Sequence, residues 1–304
     1  MVVDSPGPEL HARGELLGRG GGLGRRAIEE LITRHGLRPT RGLGQNYVVD
    51  PNTIEKMVRL CGVGATDTVV EIGPGLGSLT LALARRAAVV VAVERDRRVV
   101  PALAEVLAAA GVAERVKVVV ADAMDLDWAR DVAGPFRLVA NLPYNIAAPL
   151  VLDVLAGVPA VSSMTVMVQR EVGLRLVAGP GDAAVGVPSL KRAYWADAAM
   201  MMNVSRSVFF PEPRVDSVVV QITRRAPADD PARYAEVAKL IELGFRGRRK
   251  MLRSSLASAV VPEAFARSGV AVTTRAEELH IDQWCRLARE ARLARGESHE
   301  AASR

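Results

Sequence analysis

Aromatic residues are scarce: five Phe, four Tyr and three Trp make up 4% of 304 residues. An aromatic ring inside a motif is therefore more informative here than usual. Cysteine is nearly absent. Cys61 and Cys285 are far apart and share no metal-ligand spacing, which excludes a disulfide framework and suits a reducing compartment. The four histidines, His11, His35, His280 and His299, do not cluster, so no metal is expected. No run approaches the roughly 20 apolar residues of a membrane span, and the N-terminal residues show no apolar core of a secretory signal. These absences lead to the expectation of a cytoplasmic protein with no membrane partner.

The composition is otherwise that of a globular chain, 49% hydrophobic and 24% charged, and long enough for two domains. Its net charge of +6 favours a polyanionic partner. Residues 1–24 are rich in Gly and Pro without a period and read as a disordered tail. Residues 25–224 read as an α/β domain, 225–231 as a charged, proline-bearing linker, 232–295 as a helical domain, and 296–304 as a second disordered tail. Nothing in the sequence demands a dimer, and a monomer is expected.

Within the α/β domain, residues 25–35 have helical spacing and stop at Gly36. Asp50 and Pro51 read as the N-cap and first residue of a helix running to Cys61. That capping role does not account for Gln45-Asn46-Tyr47 just before it. Thr68 to Ile72 is a strand leading through Gly73-Pro74-Gly75-Leu76-Gly77 into a helix from Ser78. A glycine-rich strand-to-helix turn lets a nucleotide approach the backbone. The dinucleotide fingerprint needs a third glycine or alanine where Ser78 stands. A nucleoside without a pyrophosphate, such as S-adenosylmethionine, fits better than a nicotinamide dinucleotide.

The following strand ends also carry polar groups. Glu94 ends the second strand, placed to accept both hydroxyls of a ribose. Asp122 follows the third, where a carboxylate can accept from an adenine amino group. The fourth, residues 136–140, runs into Asn141-Leu142-Pro143-Tyr144. The Asn141 side chain and the Leu142 carbonyl are two acceptors for one small donor, Pro143 makes the turn rigid, and Tyr144 offers a face for a stacked base. Farther on, Pro211 and Pro213 stiffen a loop that can hold Phe209 over a pocket opposite Tyr144. Each feature alone has a plain structural reading as cap, turn or core. Together, at successive strand ends on one sheet edge, they point to a ligand site. In the helical region, Arg246, Arg248, Arg249, Lys250 and Arg253 are nearly all of one sign and are candidates for phosphate contact.

Taken together, Gly44-Gln-Asn-Tyr47, Glu71-Ile-Gly-Pro-Gly-Leu-Gly77, Asn141-Leu-Pro-Tyr-Asn-Ile146, Met167-Val-Gln-Arg-Glu171, Phe209-Phe-Pro-Glu-Pro-Arg-Val-Asp-Ser217 and Phe245-Arg-Gly-Arg-Arg-Lys250 occur in a familiar order. Over residues 38–290 the chain resembles the ribosomal RNA adenine dimethylase family, and within it the members acting on small-subunit RNA. The resemblance implies a Rossmann-like S-adenosylmethionine-dependent methyltransferase sheet with a small C-terminal all-α domain that binds RNA. It implies N6,N6-dimethylation of two adjacent adenosines in the 3′-terminal hairpin of small-subunit (16S) rRNA, coupled to ribosome biogenesis. The substrate would be a 30S subunit or its precursor.

The resemblance also implies residue roles. Asn46 and the Val48 backbone would contact the methionine end of the cofactor, and Gly73 and Gly75 would lie against it. Glu94 would take the ribose, Asp122 the adenine amino group, and Asn141 would stand between cofactor and target. Tyr144 and Phe209 would sandwich the target adenine. The chain departs from the family at Tyr47, where Phe is usual, and at Val185-Gly186, where Tyr-Gly is common. Two rivals share the motifs: a large-subunit (23S) rRNA methylase conferring macrolide resistance, and an assembly checkpoint factor with secondary catalysis.

Overall fold

The computed structural model describes residues 16–18, 21–39, 45–144 and 146–302, with only the backbone described at 297–302. Gly44, Asn145 and most of the expected N-terminal tail lie outside these residues. The described part of that tail corrects the expectation, because Leu16 and Leu23 are buried in the hydrophobic core. At the other end, the last helix runs on to Ala302 through most of the expected C-terminal tail.

The chain divides into two compact units. The first comprises Met1–Val151, Val158–Gly173 and Ala199–Ile222; the second comprises Leu152–Gly157, Leu174–Ala198 and Thr223–Arg304.

In the first unit, α1 (Arg25–Arg34) buries the stripe Ala27, Ile28 and Leu31. After β1 (Tyr47–Val48) comes α2 (Pro51–Cys61), which shows how local chemistry sets an element. The Asp50 carboxylate accepts from the Asn52 and Thr53 amides, satisfying two of the helix's orphan donors. Pro51 supplies a pre-set φ, and Gly62 ends the helix at φ 63°.

Next come β2 (Thr68–Ile72), α3 (Ser78–Ala84), β3 (Val89–Glu94), α4 (Val100–Ala109), β4 (Val116–Val120), the short α5 (Trp128–Asp131), β5 (Phe136–Asn141), α6 (Ala147–Gly157) and β6 (Val161–Gln169). After α7 (Arg170–Val177) and α8 (Val187–Trp195), the chain adds β7 (Ala196–Val204), β8 (Phe209–Phe210) and β9 (Ser217–Arg224). Seven strands form one sheet in the order β4-β3-β2-β5-β6-β9-β7, and β4 through β6 in that order are mutually parallel. The apolar runs of β2, β3 and β5 match strands covered on both faces. This is the expected Rossmann-like α/β sheet.

The sequence pattern did not reveal two features. β7 exposes every second residue, but its sequence, Ala-Asp-Ala-Ala-Met-Met-Met-Asn-Val, puts small or apolar residues on both faces and so shows no alternation to read. The two-residue strands β1 and β8 pair antiparallel, Tyr47 with Phe210 and Val48 with Phe209. Such short strands carry no readable periodicity.

The second unit contains α9 (Tyr234–Arg246), α10 (Leu252–Ser255), α11 (Pro262–Ser268) and α12 (Ile281–Ala302). It also takes α8, so it does not begin at the linker. Tyr194, Trp195 and Tyr234 pack ring to ring at 4.9–5.1 Å. The expected linker is held in place, with Arg225 N–H donating to the Trp195 carbonyl and Ala228 N–H to the Tyr194 carbonyl. Within the expected helical domain, residues 248–259 contribute only the four residues of α10. Arg248 is drawn away instead, donating to the Glu277 carboxylate at 2.6 Å and to the Ala183 carbonyl at 2.8 Å.

Candidate cofactor and base site

β2 has β3 on one side and β5 on the other, so the winding of the sheet reverses between β2 and β5. In open parallel sheets, ligands bind beyond the carboxyl ends of the strands at such a switch. β2 stays paired with β3 as far as Ile72 and Val93, but its ladder with β5 holds only Val69–Arg137 and Val70–Leu138. The strands part toward their carboxyl ends, and a pocket opens there. Asn46, Val48, Gly73, Gly75, Glu94, Asp122 and Asn141 all line it. The sheet therefore gathers into one cavity the residues proposed for cofactor binding.

The floor is the glycine turn after β2. Gly73 and Gly75 have φ of 70° and 55°, in the left-handed region that side chains avoid. A Cβ on Gly75 would stand 2.8 Å from the Tyr47 ring, so the turn and β1 are in contact. The Gly75 amide also donates to Glu94 Oε2 at 3.1 Å, and the Asp96 amide to Glu94 Oε1 at 2.7 Å. Glu94 is thus a buried carboxylate oriented by two backbone donors, and burial pushes its pKa above the ordinary carboxylate value. Glu71 is fully buried on the same wall, with Thr80 beside it, and desolvation raises its pKa to about 8. Asp96 goes the other way, down to about 2, because Arg98 grips it with two hydrogen bonds of 2.8 Å.

Gln45-Asn46-Tyr47, unexplained by capping, acquires a physical role as a flap fastened to the pocket rim. Gln45 Nε2 donates to Asp96 at 2.9 Å, Ser78 Oγ donates to the Val48 carbonyl at 2.9 Å, and Asn141 Nδ2 donates to the Asn46 carbonyl at 3.1 Å. The last bond orients the Asn141 amide. With its nitrogen committed to Asn46, its oxygen remains as an acceptor. Gln45, Arg95 and Asp96 were missed as site residues. A charged Glu-Arg-Asp-Arg-Arg run directly after a buried strand was the available signal.

The donor set fits one class of nucleoside and excludes another. Glu71, Glu94, Asp96 and Asp122 line the pocket, whereas Arg95 is its one cation among the described residues and is itself paired with Asp122 at 3.1 Å. A pyrophosphate would meet the Glu94 carboxylate, while the nearby arginines, Arg95 and Arg98, are already held by Asp122 and Asp96. A nucleoside bearing a positive charge would meet acceptors, as an S-adenosylmethionine-type cofactor requires.

The second expected cavity wall is only partly formed. The Tyr144 hydroxyl lies 3.0 Å from Ser217 Oγ, and its pKa is raised by burial. Phe209 is 1% exposed and belongs to the core cluster that also holds Tyr47 and Val48. Phe209 is covered in this structure, and β8 pairs beside it with Val48 of β1. Leu142 is buried, and its amide donates to the Met167 carbonyl at 3.0 Å, which anchors the turn ahead of Pro143. In the second unit, Arg246, Arg248, Arg249, Lys250 and Arg253 are all exposed, but Arg248 is held by Glu277 and Ala183. Among the described residues no group of three His, Cys, Asp or Glu is placed to hold a metal ion, and no helix is long and apolar enough to cross a membrane.

Comparison with known proteins gives concordant results. The sequence model of the ribosomal RNA adenine dimethylase family matches residues 37–292. The ribosomal RNA small subunit methyltransferase A of Cutibacterium acnes is 44% identical, over 86% of this chain and 91% of its own length. That of Thermobifida fusca is also 44% identical, over 86% and 93%. Among solved structures, the 23S rRNA methyltransferase ErmE superposes with a TM-score of 0.64 at 26% identity, over 81% of this chain and all of its own. A dimethyladenosine transferase from Plasmodium falciparum superposes with a TM-score of 0.68 at 22% identity, over 78% and 94%.

Proposed function

The chain belongs to the ribosomal RNA adenine dimethylase family, and on that premise we propose that it transfers methyl groups from S-adenosylmethionine to N6 of two adjacent adenosines in the 3′-terminal hairpin of 16S rRNA. The small-subunit enzymes at 44% identity support this target over the large-subunit alternative, whose solved representative stands at 26%. The substrate would be a 30S subunit or its precursor in the cytoplasm, met by a monomer.

The observation that carries the reading is the fixed amide of Asn141 at the pocket mouth, with Nδ2 donating to the Asn46 carbonyl. Bound in the pocket, S-adenosylmethionine would supply an electrophilic methyl group. Glu94 would accept from the ribose, Asp122 from the adenine amino group, and Asn46 and the Val48 backbone would hold the methionine end. The work of the chain is then to prepare a poor nucleophile, since the N6 lone pair of adenine is delocalised into its ring. The Asn141 oxygen and the Leu142 carbonyl would accept both N6 hydrogens and favour a pyramidal nitrogen. Pro143 keeps the two acceptors rigid, and fixed orientation supplies much of the remaining rate.

Tyr144 would stack on the target base. Phe209 would close the other side once the base enters, which requires its ring to leave the core. No residue of the Asn141–Tyr144 turn is a strong base, and the proton would leave to water. Arg246, Arg249, Lys250 and Arg253 are proposed as phosphate contacts, with Arg248 chiefly structural.

The test is methyl transfer from labelled S-adenosylmethionine to unmethylated small subunits, large subunits and naked rRNA, with the modified nucleoside identified by mass. Dimethyladenosine on small subunits alone is expected. Label on large-subunit RNA would overturn the assigned target, and tight small-subunit binding without label would favour an assembly factor.

A further inference from the structure

Arg95 has no role in the account above, yet it stands at the nucleoside end of the pocket. It directly follows Glu94 at the end of β3. Strand alternation sends Glu94 inward, where it is 7% exposed, and Arg95 outward onto the rim, where its side chain is 64% exposed. From there its guanidinium reaches Asp122 Oδ2 at 3.1 Å. The other carboxylate oxygen, Oδ1, accepts the Met124 amide at 3.0 Å. Asp122 lies in the loop after β4, so its side chain would otherwise sample several rotamers. The two donors clamp it from opposite ends. A carboxylate has about four acceptor positions, so the clamped group keeps capacity for a further hydrogen bond from the pocket side.

We propose that Arg95 is a positioning residue for base specificity: it holds Asp122 in the orientation that reads a 6-amino purine and disfavours a 6-oxo purine. The inference rests on the cofactor reading above and deepens it. A 6-amino group donates to the clamped carboxylate. A 6-oxo group presents an acceptor to an acceptor, and one of the two is left without a hydrogen bond. Arg95 holds Asp122 from the rim side through Oδ2, without itself occupying the amino-group position.

The experiment is calorimetric titration of the full chain with S-adenosyl-L-homocysteine and with its inosine counterpart, S-inosyl-L-homocysteine. Wild type, Arg95→Leu, Arg95→Lys, Asp122→Asn and the Arg95→Leu/Asp122→Asn double variant are compared. Wild type is expected to prefer the adenosyl ligand by about tenfold, the penalty for an unpaired polar group. Arg95→Leu should weaken the adenosyl ligand about three- to tenfold, as for loss of one charge-assisted contact, and change the inosyl ligand much less. Arg95→Lys should fall between. Once Asp122 is Asn, adding Arg95→Leu should cost nothing more.

Equal losses for both ligands would overturn the proposal, since they would show general contact or a disturbed fold. Unchanged or tighter adenosyl binding would overturn it too, by showing that Arg95 is idle or competes for Asp122. If Arg95→Leu does not fold, the same adenosyl-to-inosyl ratio is read on Arg95→Lys, and a wild-type ratio there overturns the proposal. Absence of any binding by the wild-type chain would overturn the cofactor reading along with it.

Discussion

Glu71→Gln is expected to make the protein more stable, and increasingly so as pH rises. The Glu71 carboxyl is 1% exposed, and burial raises its pKa from the ordinary 4.5 to about 8. Between those values the unfolded chain has released this proton while the folded chain still holds it. The folded state binds more protons there, so stability falls as pH rises. The slope for one group is about 1.4 kcal/mol per pH unit. It begins near pH 4.5 and flattens above pH 8, where both states are ionised. Glutamine keeps the shape and the polar contact toward Thr80 but has no proton to lose. The stability difference between Glu71→Gln and wild type should therefore grow by about 2–3 kcal/mol from pH 6 to pH 8. Urea unfolding followed by circular dichroism at pH 6, 7 and 8 measures it, and the other titrating groups cancel in the difference. A difference that stays flat with pH would refute the reasoning, because it would mean that Glu71 is already ionised in the folded protein.

Further substitutions address other parts of the structure. Gly75→Ala must place a Cβ at φ 55° and 2.8 Å from the Tyr47 ring; the backbone term costs about 1–2 kcal/mol, and cofactor affinity by calorimetry should fall at least about tenfold as the ring shifts. Gly24→Ala, where a Cβ meets nothing within 4 Å, should leave affinity unchanged and cost only the weaker N-cap of α1, under about 1 kcal/mol. Tyr144→Ala should lower kcat/KM by the worth of one stacked base, about 1–3 kcal/mol, whereas Tyr144→Phe keeps the ring and loses only the contact with Ser217. Arg248→Ala should destabilise the second unit by about 1 kcal/mol, since its bonds to Glu277 and Ala183 are half-exposed. Arg249→Ala should leave stability within about 0.5 kcal/mol but weaken RNA binding evenly across sequences and lessen its salt dependence.

Much of the site was readable because its chemistry is local in sequence. A glycine turn must follow a strand directly, so Gly73 and Gly75 identify their place without any tertiary information. Glu94, Asp122 and Asn141 each end or closely follow a buried run, and parallel βα winding brings such strand ends to one edge. The Asp50 cap and the Gly62 stop are likewise encoded within a few residues. The basic run at Arg246–Arg253 was legible as charge, but charge alone does not distinguish an arginine free to meet phosphate from Arg248, which is tied to Glu277.

The sequence by itself determined the parallel strands that carry the site, the order of their polar ends and the motif series, because hydrophobic period and turn chemistry act over short spans. Tertiary structure alone decided how distant segments meet. It brought Gln45 to Asp96 and Asn46 to Asn141 across 51 and 95 residues, and set Arg95 on Asp122. It covered Phe209, placed its two-residue strand beside β1, and joined Tyr194, Trp195 and Tyr234 into one cluster. These contacts rest on single hydrogen bonds and ring packing between segments far apart in the chain, and such pairings leave no period in the sequence to read.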